Sequence, residues 1–190
     1  MNILVLNGSP KKTGNISCIL QEICRGFSEN GHQINNIFLK DLSIADCEGC
    51  MACQSKGACV IRDDIAKVEV GIKEADILVI GTPVHWGNMS AILLRIFERM
   101  FGFLIEERPD GFPVPRNGKG KRAIIVTSCS TAWPFNWIFN QSRSVFSRLH
   151  EIFRYSDIKI IKKHTLAGTI RQKRASDKDK MKAFKIGLTV

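Results

Sequence analysis

The sequence predicts an open, doubly wound α/β domain, with five parallel strands in the order 2-1-3-4-5 and helices on both faces. Three observations predict it. Nearly pure apolar runs recur at Ile3–Leu6, Ile77–Ile80 and Ala123–Thr127, as expected of strands covered on both faces. Segments of helical period lie between the runs, and such alternation implies right-handed crossovers. Two of the runs end in glycine-containing turns, Gly8-Ser9-Pro10 and Gly81-Thr82-Pro83. These fall at the carboxyl edge, where sheets of this kind form their crevice.

The elements follow in order. Strand one, Ile3–Leu6, passes through a short basic loop into a helix opened by Gly14-Asn15-Ile16-Ser17. Ile16, Ile19, Leu20, Ile23 and Phe27 mark its apolar face. Strand two, Ile34–Leu39, alternates more and is expected at an edge. A cysteine-rich insertion, residues 47–63, comes next. Asp64 is placed to cap a helix carrying Ile65, Val68 and Ile72. Strand three, Ile77–Ile80, leads to a helix with Ile92, Leu93, Ile96, Phe97 and Met100. Residues 103–121 are rich in proline, glycine and charge and are expected to form a long loop. Strand four is Ala123–Thr127. The fourth helical pattern carries Ile138, Ser142, Val145, Phe146, Leu149 and Phe153. Strand five, Ile158–Leu166, and a final helix, Asp177–Ile186, complete a single domain over residues 1–190.

Composition excludes several classes. No apolar run approaches the ~20 residues of a membrane-crossing helix. The chain starts as strand, without a basic leader and cleavage site, so a cytoplasmic protein is expected. Seven cysteines in that compartment point to thiol or metal chemistry rather than a disulfide framework. The net charge is +10. Much of the excess sits at Lys11-Lys12, Arg116–Arg122 and Arg171–Lys185, with no recognition helix or RNA-stacking motif beside it. A solvated basic surface that attracts anionic small molecules is the reading, and nucleic acid is not an expected partner.

The first loop suits an anion. A chain that leaves a strand and enters a helix presents free N–H groups and the positive end of a dipole. Ser9, Thr13 and Ser17 add hydroxyls, and Lys11 and Lys12 add charge. A nucleotide-triphosphate loop needs four residues between its glycines, followed by Lys-Ser/Thr. Here five residues separate Gly8 from Gly14, and Asn15 stands in the lysine's place. The dinucleotide pattern G-x-G-x-x-G is absent as well. A single phosphate monoester fits what remains; an ordinary capped turn is the alternative.

The second loop is Gly81-Thr82-Pro83-Val84-His85-Trp86-Gly87-Asn88-Met89-Ser90. It leaves a strand end at the same crevice. Pro83 stiffens the exit, and Gly87 permits close backbone approach. His85 and Trp86 offer flat faces, and Asn88 both donates and accepts, so this wall suits a flat heteroaromatic ring. Alone, Trp86 is as well explained as a half-buried aromatic.

Together these two loops resemble the flavodoxin-like NAD(P)H-dependent FMN reductase family, over Met1 to about Arg99. The cysteine segment is similar, more narrowly, to the iron–sulfur flavoprotein branch. The resemblance implies a flavodoxin-like fold and FMN bound without a covalent link. It implies that Ser9, Lys11, Asn15, Ile16 and Ser17 hold the phosphate. Pro83, Val84, His85, Trp86, Asn88 and Met89 would line the ring, with Gly87 at the turn. The loop Thr127–Thr131, Ser128 included, would close the far side. The sequence departs from the family at three places: Ile16 stands where a hydroxyl is usual, His85 replaces a tyrosine, and Ser128-Cys129-Ser130 lacks a glycine pair.

Cys47-x2-Cys50-x2-Cys53-x5-Cys59 is a compact set of thiols. Two-residue gaps can wrap one inorganic centre, although the last gap is longer than in ferredoxins and the following proline is missing. Three readings stand: a [4Fe–4S] cluster, as in the similar branch; reduced or redox-active thiols; and zinc, which more often uses two separate knuckles. Cys18, Cys24 and Cys129 are expected to be structural. Trp133-Pro134-Phe135-Asn136-Trp137 is either an aromatic wall above the flavin or a helix start packed on the core or on a partner.

The function implied is an oxidoreductase. FMN carries the chemistry, NAD(P)H donates, and a flavin, quinone or other flat small molecule accepts in ping-pong fashion. No residue is required as acid or base, and His85 has at most a tuning role. An iron–sulfur flavoprotein or flavodoxin-like carrier serving a protein partner is the alternative. The aromatic residues Phe101, Phe103, Trp133, Phe135 and Trp137 point to a homodimer or homotetramer.

Overall fold

The computed structural model describes all 190 residues. Its strands and helices in chain order are β1 (Asn2–Asn7), α1 (Asn15–Glu29), β2 (Gln33–Phe38), α2 (Ala52–Lys56), α3 (Ile65–Glu74), β3 (Ile77–Pro83), α4 (Ala91–Arg99), α5 (Phe101–Leu104), β4 (Ile105–Glu107), β5 (Pro113–Pro115), β6 (Arg122–Cys129), α6 (Phe135–Ile138), α7 (Gln141–Tyr155), β7 (Lys159–Ala167) and α8 (Asp177–Leu188). A 3-10 turn, Leu39–Asp41, follows β2.

Five parallel strands form the main sheet in the order β2-β1-β3-β6-β7. Counting only these five gives 2-1-3-4-5, the expected flavodoxin-like arrangement. The central strands β1, β3 and β6 are buried throughout their apolar runs, whereas β2 and β7 alternate at the edges. Two apolar layers flank the sheet. One joins Leu4, Leu6, Leu78, Ile80 and Ile125 to α3, α4 and α7. The other joins Ile3, Val5, Val79, Ile124 and Val126 to α1 and α8. Burying each such side chain contributes roughly 1.5–3 kcal/mol, so the sheet registers are strongly specified.

The helices α1 and α8 touch backbone to backbone. A Cβ at Gly26 would collide with the Phe184 carbonyl, and one at Gly187 with the Ile23 carbonyl. This close approach anchors the end of α8 against the last turns of α1.

Three details differ from the sequence expectations. Residues 103–121 are not a plain loop: α5 comes first, and β4 and β5 then pair as an antiparallel hairpin. Pro113 and Pro115 sit in β5, a short edge strand, where the missing N–H groups are tolerated. Asp64 makes no side-chain cap to α3. Its neighbour Asp63 accepts from the Ile65 N–H at 3.0 Å, while Asp64 accepts from Ser43 N–H and pairs with Lys67. The fourth helical pattern is divided into α6 and α7, with Asn140 in a left-handed conformation between them. No helix is long and apolar enough to cross a membrane.

Candidate functional site

The loop after β1 is built by short-range hydrogen bonds. Asn7, buried at the strand end, accepts from Ser9 N–H at 3.0 Å and donates through Nδ2 to Ser17 Oγ at 3.0 Å. The Lys11 carbonyl collects three donors: Ser9 Oγ at 2.8 Å, Ser17 Oγ at 2.9 Å and Gly14 N–H at 3.1 Å. The Ser9 and Ser17 hydroxyls therefore face inward and hold the loop's shape. Glycine at position 14 leaves α1 without a side-chain cap. The N–H groups of Asn15, Ile16 and Ser17 consequently have no acceptor within the chain. They form an anion cradle at the positive end of a 15-residue helix. Lys12 is drawn to Asp41 and the Phe38 ring, and Lys40 donates to the Pro10 carbonyl.

Asn15 has a role that sequence reasoning missed. Its Oδ1 accepts from Ala175 N–H at 2.9 Å, and its Nδ2 donates to the Lys173 carbonyl at 3.4 Å. The segment from Gly168 to Ser176 is thereby drawn across to the cradle, and Gly168, Thr169 and Ile170 bond the backbone of Thr131, Cys129 and Ser130. Only the basic composition of residues 171–185 hinted at this segment.

The first two loops meet. Gly8 N–H donates to the Gly81 carbonyl at 2.8 Å, and a Cβ at Gly8 would stand 2.9 Å from Ser90 Oγ. Only glycine permits this approach. Ser90 N–H donates to Thr82 Oγ1 at 2.8 Å, which folds the second loop back on its own strand. His85 and Asn88 exchange two backbone hydrogen bonds of 2.9 Å. Trp86 and Gly87, at φ 51° and 70°, form the left-handed corner between them. Trp86 stands fully exposed at its tip. Asn88 Oδ1 is taken by its neighbour's N–H, Met89 is buried in the core, and Pro83 and Val84 are half-buried. The Ser128 carbonyl accepts from Val84 N–H at 2.8 Å, which joins the third loop to the second. Cys129 is buried and donates to Gln141 Oε1.

Beside this edge stand Trp133, Phe135, Trp137, Ile138 and Phe139, all exposed. A Cβ on Gly87 would lie 3.7 Å from the Asn140 carbonyl, so the Trp86 corner abuts this patch. Trp133 and Phe135 thus stand outside the core, whereas Trp137 leans on the buried Phe146 ring at 6.3 Å; Phe103, counted with the surface aromatics in the sequence reading, is a core residue instead.

The cysteine segment forms a second centre. Cys47, Cys50, Cys53 and Cys59, all free, line one cavity of about 410 Å³ with Arg99 and Phe101. Cys47 and Cys50 are exposed; Cys53 and Cys59 are half-buried. No three of these side chains converge as ligands of a single metal ion. A cluster offers separate irons to separate thiolates and needs a thiol-lined cavity, so the residues fit one.

Two arginines hold the segment. Arg99, wholly buried, uses all five N–H groups. Nη1 and Nη2 grip Asp63 at 2.7 and 3.2 Å and donate to the Ala45 and Ile61 carbonyls, and Nε donates to Cys59 Sγ at 3.1 Å. Partial burial disfavours the Asp63 carboxylate. The Arg99 hydrogen bonds and the Ile65 and Ala45 N–H groups outweigh it and hold the pKa below the usual 3.8. Arg116 donates to the Cys53, Gly102 and Gln54 carbonyls at 3.3, 2.8 and 2.7 Å. Arg95 pairs with Asp46 at 2.6 Å. Of the remaining thiols, Cys129 is buried, and burial pushes Cys24 up to about 11.

Helix α4 links the two centres. Ser90, at its start, belongs to the second loop, and Arg99, at its end, to the cysteine cavity. Nine residues at 1.5 Å each separate them by about 14 Å along the axis.

Residues 1–159 match the family model of NADPH-dependent FMN reductase, and the chain belongs to that family. An iron–sulfur flavoprotein of Archaeoglobus fulgidus is 42% identical over 99 residues, which are 52% of this chain and 48% of the relative. One of Methanocaldococcus jannaschii is 31% identical over 115 residues, 58% of this chain and 60% of the relative. The chain thus spans about half the length of the curated relatives it matches. Among solved structures, an NAD(P)H:quinone oxidoreductase from Methanothermobacter marburgensis superposes with a TM-score of 0.82 at 18% identity, covering 99% of this chain and 98% of the other.

Proposed function

We propose, on the premise of that family membership, that the chain is an FMN-dependent oxidoreductase that takes electrons from NAD(P)H and passes them to a flat small molecule such as a flavin or quinone. The observation that carries this reading is the junction of the first two loops at Gly8, Gly81 and Ser90. It brings the loop with the free N–H groups beside the second loop, which supports a phosphate and its ring held together.

Bound FMN supplies the hydride and electron chemistry; the chain's residues bind, orient and exclude water. The N–H groups of Asn15, Ile16 and Ser17 receive the phosphate, with Lys11 adding charge. Ser9 and Ser17 serve by fixing the loop. The backbone of Pro83, Val84 and Gly87, with Ser128 opposite, forms the ring's wall. His85 is exposed and can hydrogen-bond a ring edge or acceptor. Trp86, Trp133 and Phe135 offer stacking surface to nicotinamide and acceptor in turn, which gives ping-pong kinetics. The same exposed aromatic patch supports a homodimer or homotetramer. A cytoplasmic setting would keep the seven cysteines reduced. The visible spectrum after FMN reconstitution tests the reading: paired flavin bands that bleach with NAD(P)H support it, and protein that retains no flavin overturns it.

The thiol-lined cavity favours a second, compatible reading as an iron–sulfur flavoprotein, the name carried by both relatives above. Cys47, Cys50, Cys53 and Cys59 would hold a [4Fe–4S] cluster, which supplies one-electron storage and release to a protein partner. Anaerobic reconstitution should yield about four iron and four sulfide per chain. Iron-free protein under those conditions would leave a plain FMN reductase with a thiol-rich loop.

A further inference from the structure

The buried contact between Arg99 and Cys59 is not used by flavin binding. The first eight residues of α4 form an ordinary amphipathic helix, yet its last residue is an arginine with no exposed side-chain surface. Such a group is costly to bury unless every donor is met. Here the acceptors are chosen along one segment: the carbonyls of Ala45 and Ile61 on its two arms, the Asp63 carboxylate at its end, and a sulfur in its middle. The guanidinium plane is therefore fixed by four oxygen contacts, and its Nε–H has one remaining direction, toward Cys59 Sγ at 3.1 Å.

We infer that Arg99 is a positioning residue of the cysteine centre, which holds Cys59 Sγ at the cavity wall and raises the reduction potential of a cluster bound there. This rests on the iron–sulfur reading above. The reasoning is electrostatic. Reduction adds negative charge to a cluster, and a fixed N–H donor on a ligand sulfur stabilises the reduced form more than the oxidised one. Asp63 opposes this by nearly cancelling the guanidinium charge. The two partners should therefore shift the potential in opposite directions, although removing either weakens the same loop.

That opposition is the test. Wild type, Arg99→Met, Asp63→Asn and the double variant are reconstituted anaerobically with iron and sulfide. Iron is counted, and the cluster midpoint is measured by redox titration followed by EPR. The expected order, from most negative, is R99M, then R99M/D63N, then wild type, then D63N. R99M should show at least a tenfold fall in the reduced-to-oxidised ratio at fixed potential, which is 59 mV for a one-electron couple. The flavin midpoint should stay where it is. Should R99M fail to fold, the double variant, which removes the ion pair as a neutral unit, carries the comparison, and its midpoint must lie below wild type. Equal midpoints, or R99M and D63N moving the same way, would show a merely structural role and overturn the inference. A wild-type chain that takes up no iron overturns the cluster reading and this inference together, whereas loaded variants with unmoved midpoints overturn the inference alone.

Discussion

The loop after β1 takes its shape from a hydrogen-bond network within ten positions, with longer links added at its ends, whereas the cysteine segment after β2 is held by arginines from α4 and from the β4–β5 region. In the first, Asn7, Ser9, Ser17 and the Lys11 carbonyl close a small network on themselves, and the N–H groups left over face outward. In the second, Arg99 and Arg116 reach back 36 to 63 residues and grip the arms at Asp63 and the Cys53 and Gln54 carbonyls, while Cys47 and Cys50 stay exposed. Local bonds shape a cradle that is complete before its ligand arrives. Distant clamps fix the ends of a segment and leave its middle to be finished by what binds there. The first arrangement suits a phosphate received by a preformed cradle, the second an inorganic centre assembled in place.

The comparison can be broken from either side. The largest effect is expected at Cys53→Ser, which should abolish iron uptake under anaerobic reconstitution and leave FMN affinity unchanged. Loss of both would show that the two regions are one site. Gly8→Val sets branched carbon against Ser90 Oγ and the Gly81 carbonyl; FMN affinity measured by fluorescence quenching should fall tenfold or more, with iron uptake preserved. Asn15→Asp brings a carboxylate to the cradle and should weaken FMN several-fold, since such a pair interaction is worth ~1 kcal/mol or more. It should also release the Lys173 carbonyl while keeping the bond from Ala175 N–H, seen as faster proteolysis at Lys173.

Acid should separate the two regions more gently. Asp63 titrates below its ordinary 3.8 in the folded chain. Its contribution is complete above the unfolded value and is lost as pH falls through the folded one. Limited cleavage by pepsin within residues 47–63 should accordingly quicken as pH falls through the folded value, which lies below 3.8, while the hydrogen-bonded network of Asn7, Ser9 and Ser17, which contains no carboxylate, holds. The smallest effect is expected at Trp86→Gly. A left-handed non-glycine residue costs roughly 1–2 kcal/mol, so thermal unfolding should shift upward slightly while acceptor turnover falls. A variant with unchanged turnover would remove Trp86 from the reacting face.

What could be read from sequence divides along the same line. Strands β1, β3 and β6 were legible because burial on both faces leaves unbroken apolar runs, and the glycine turns that end β1 and β3 marked the crevice. The spacing of the four cysteines marked their cavity. What escaped were contacts that no local pattern encodes. Arg99 looks like any helix-ending cation until Asp63 and Cys59 are seen around it. Asn15 stands at a helix start, a place that suggests a ligand, yet its amide is spent on residues 158 and 160 positions away. Ser9 and Ser17 were identified as loop hydroxyls, but which way they point depends on where the Lys11 carbonyl lies. Met89 looked like part of a ring wall and is a core residue. Prolines suggested an open loop at 103–121, although an edge hairpin accommodates them.

The separation of the two regions is tested most directly by titrating FMN into wild type and into a chain with Cys47, Cys50, Cys53 and Cys59 all changed to serine. Both should saturate at one FMN per chain with the same affinity. A four-serine chain that folds but no longer binds FMN would contradict two independently built sites, and a wild-type chain that binds none would contradict the account from its first loop onward.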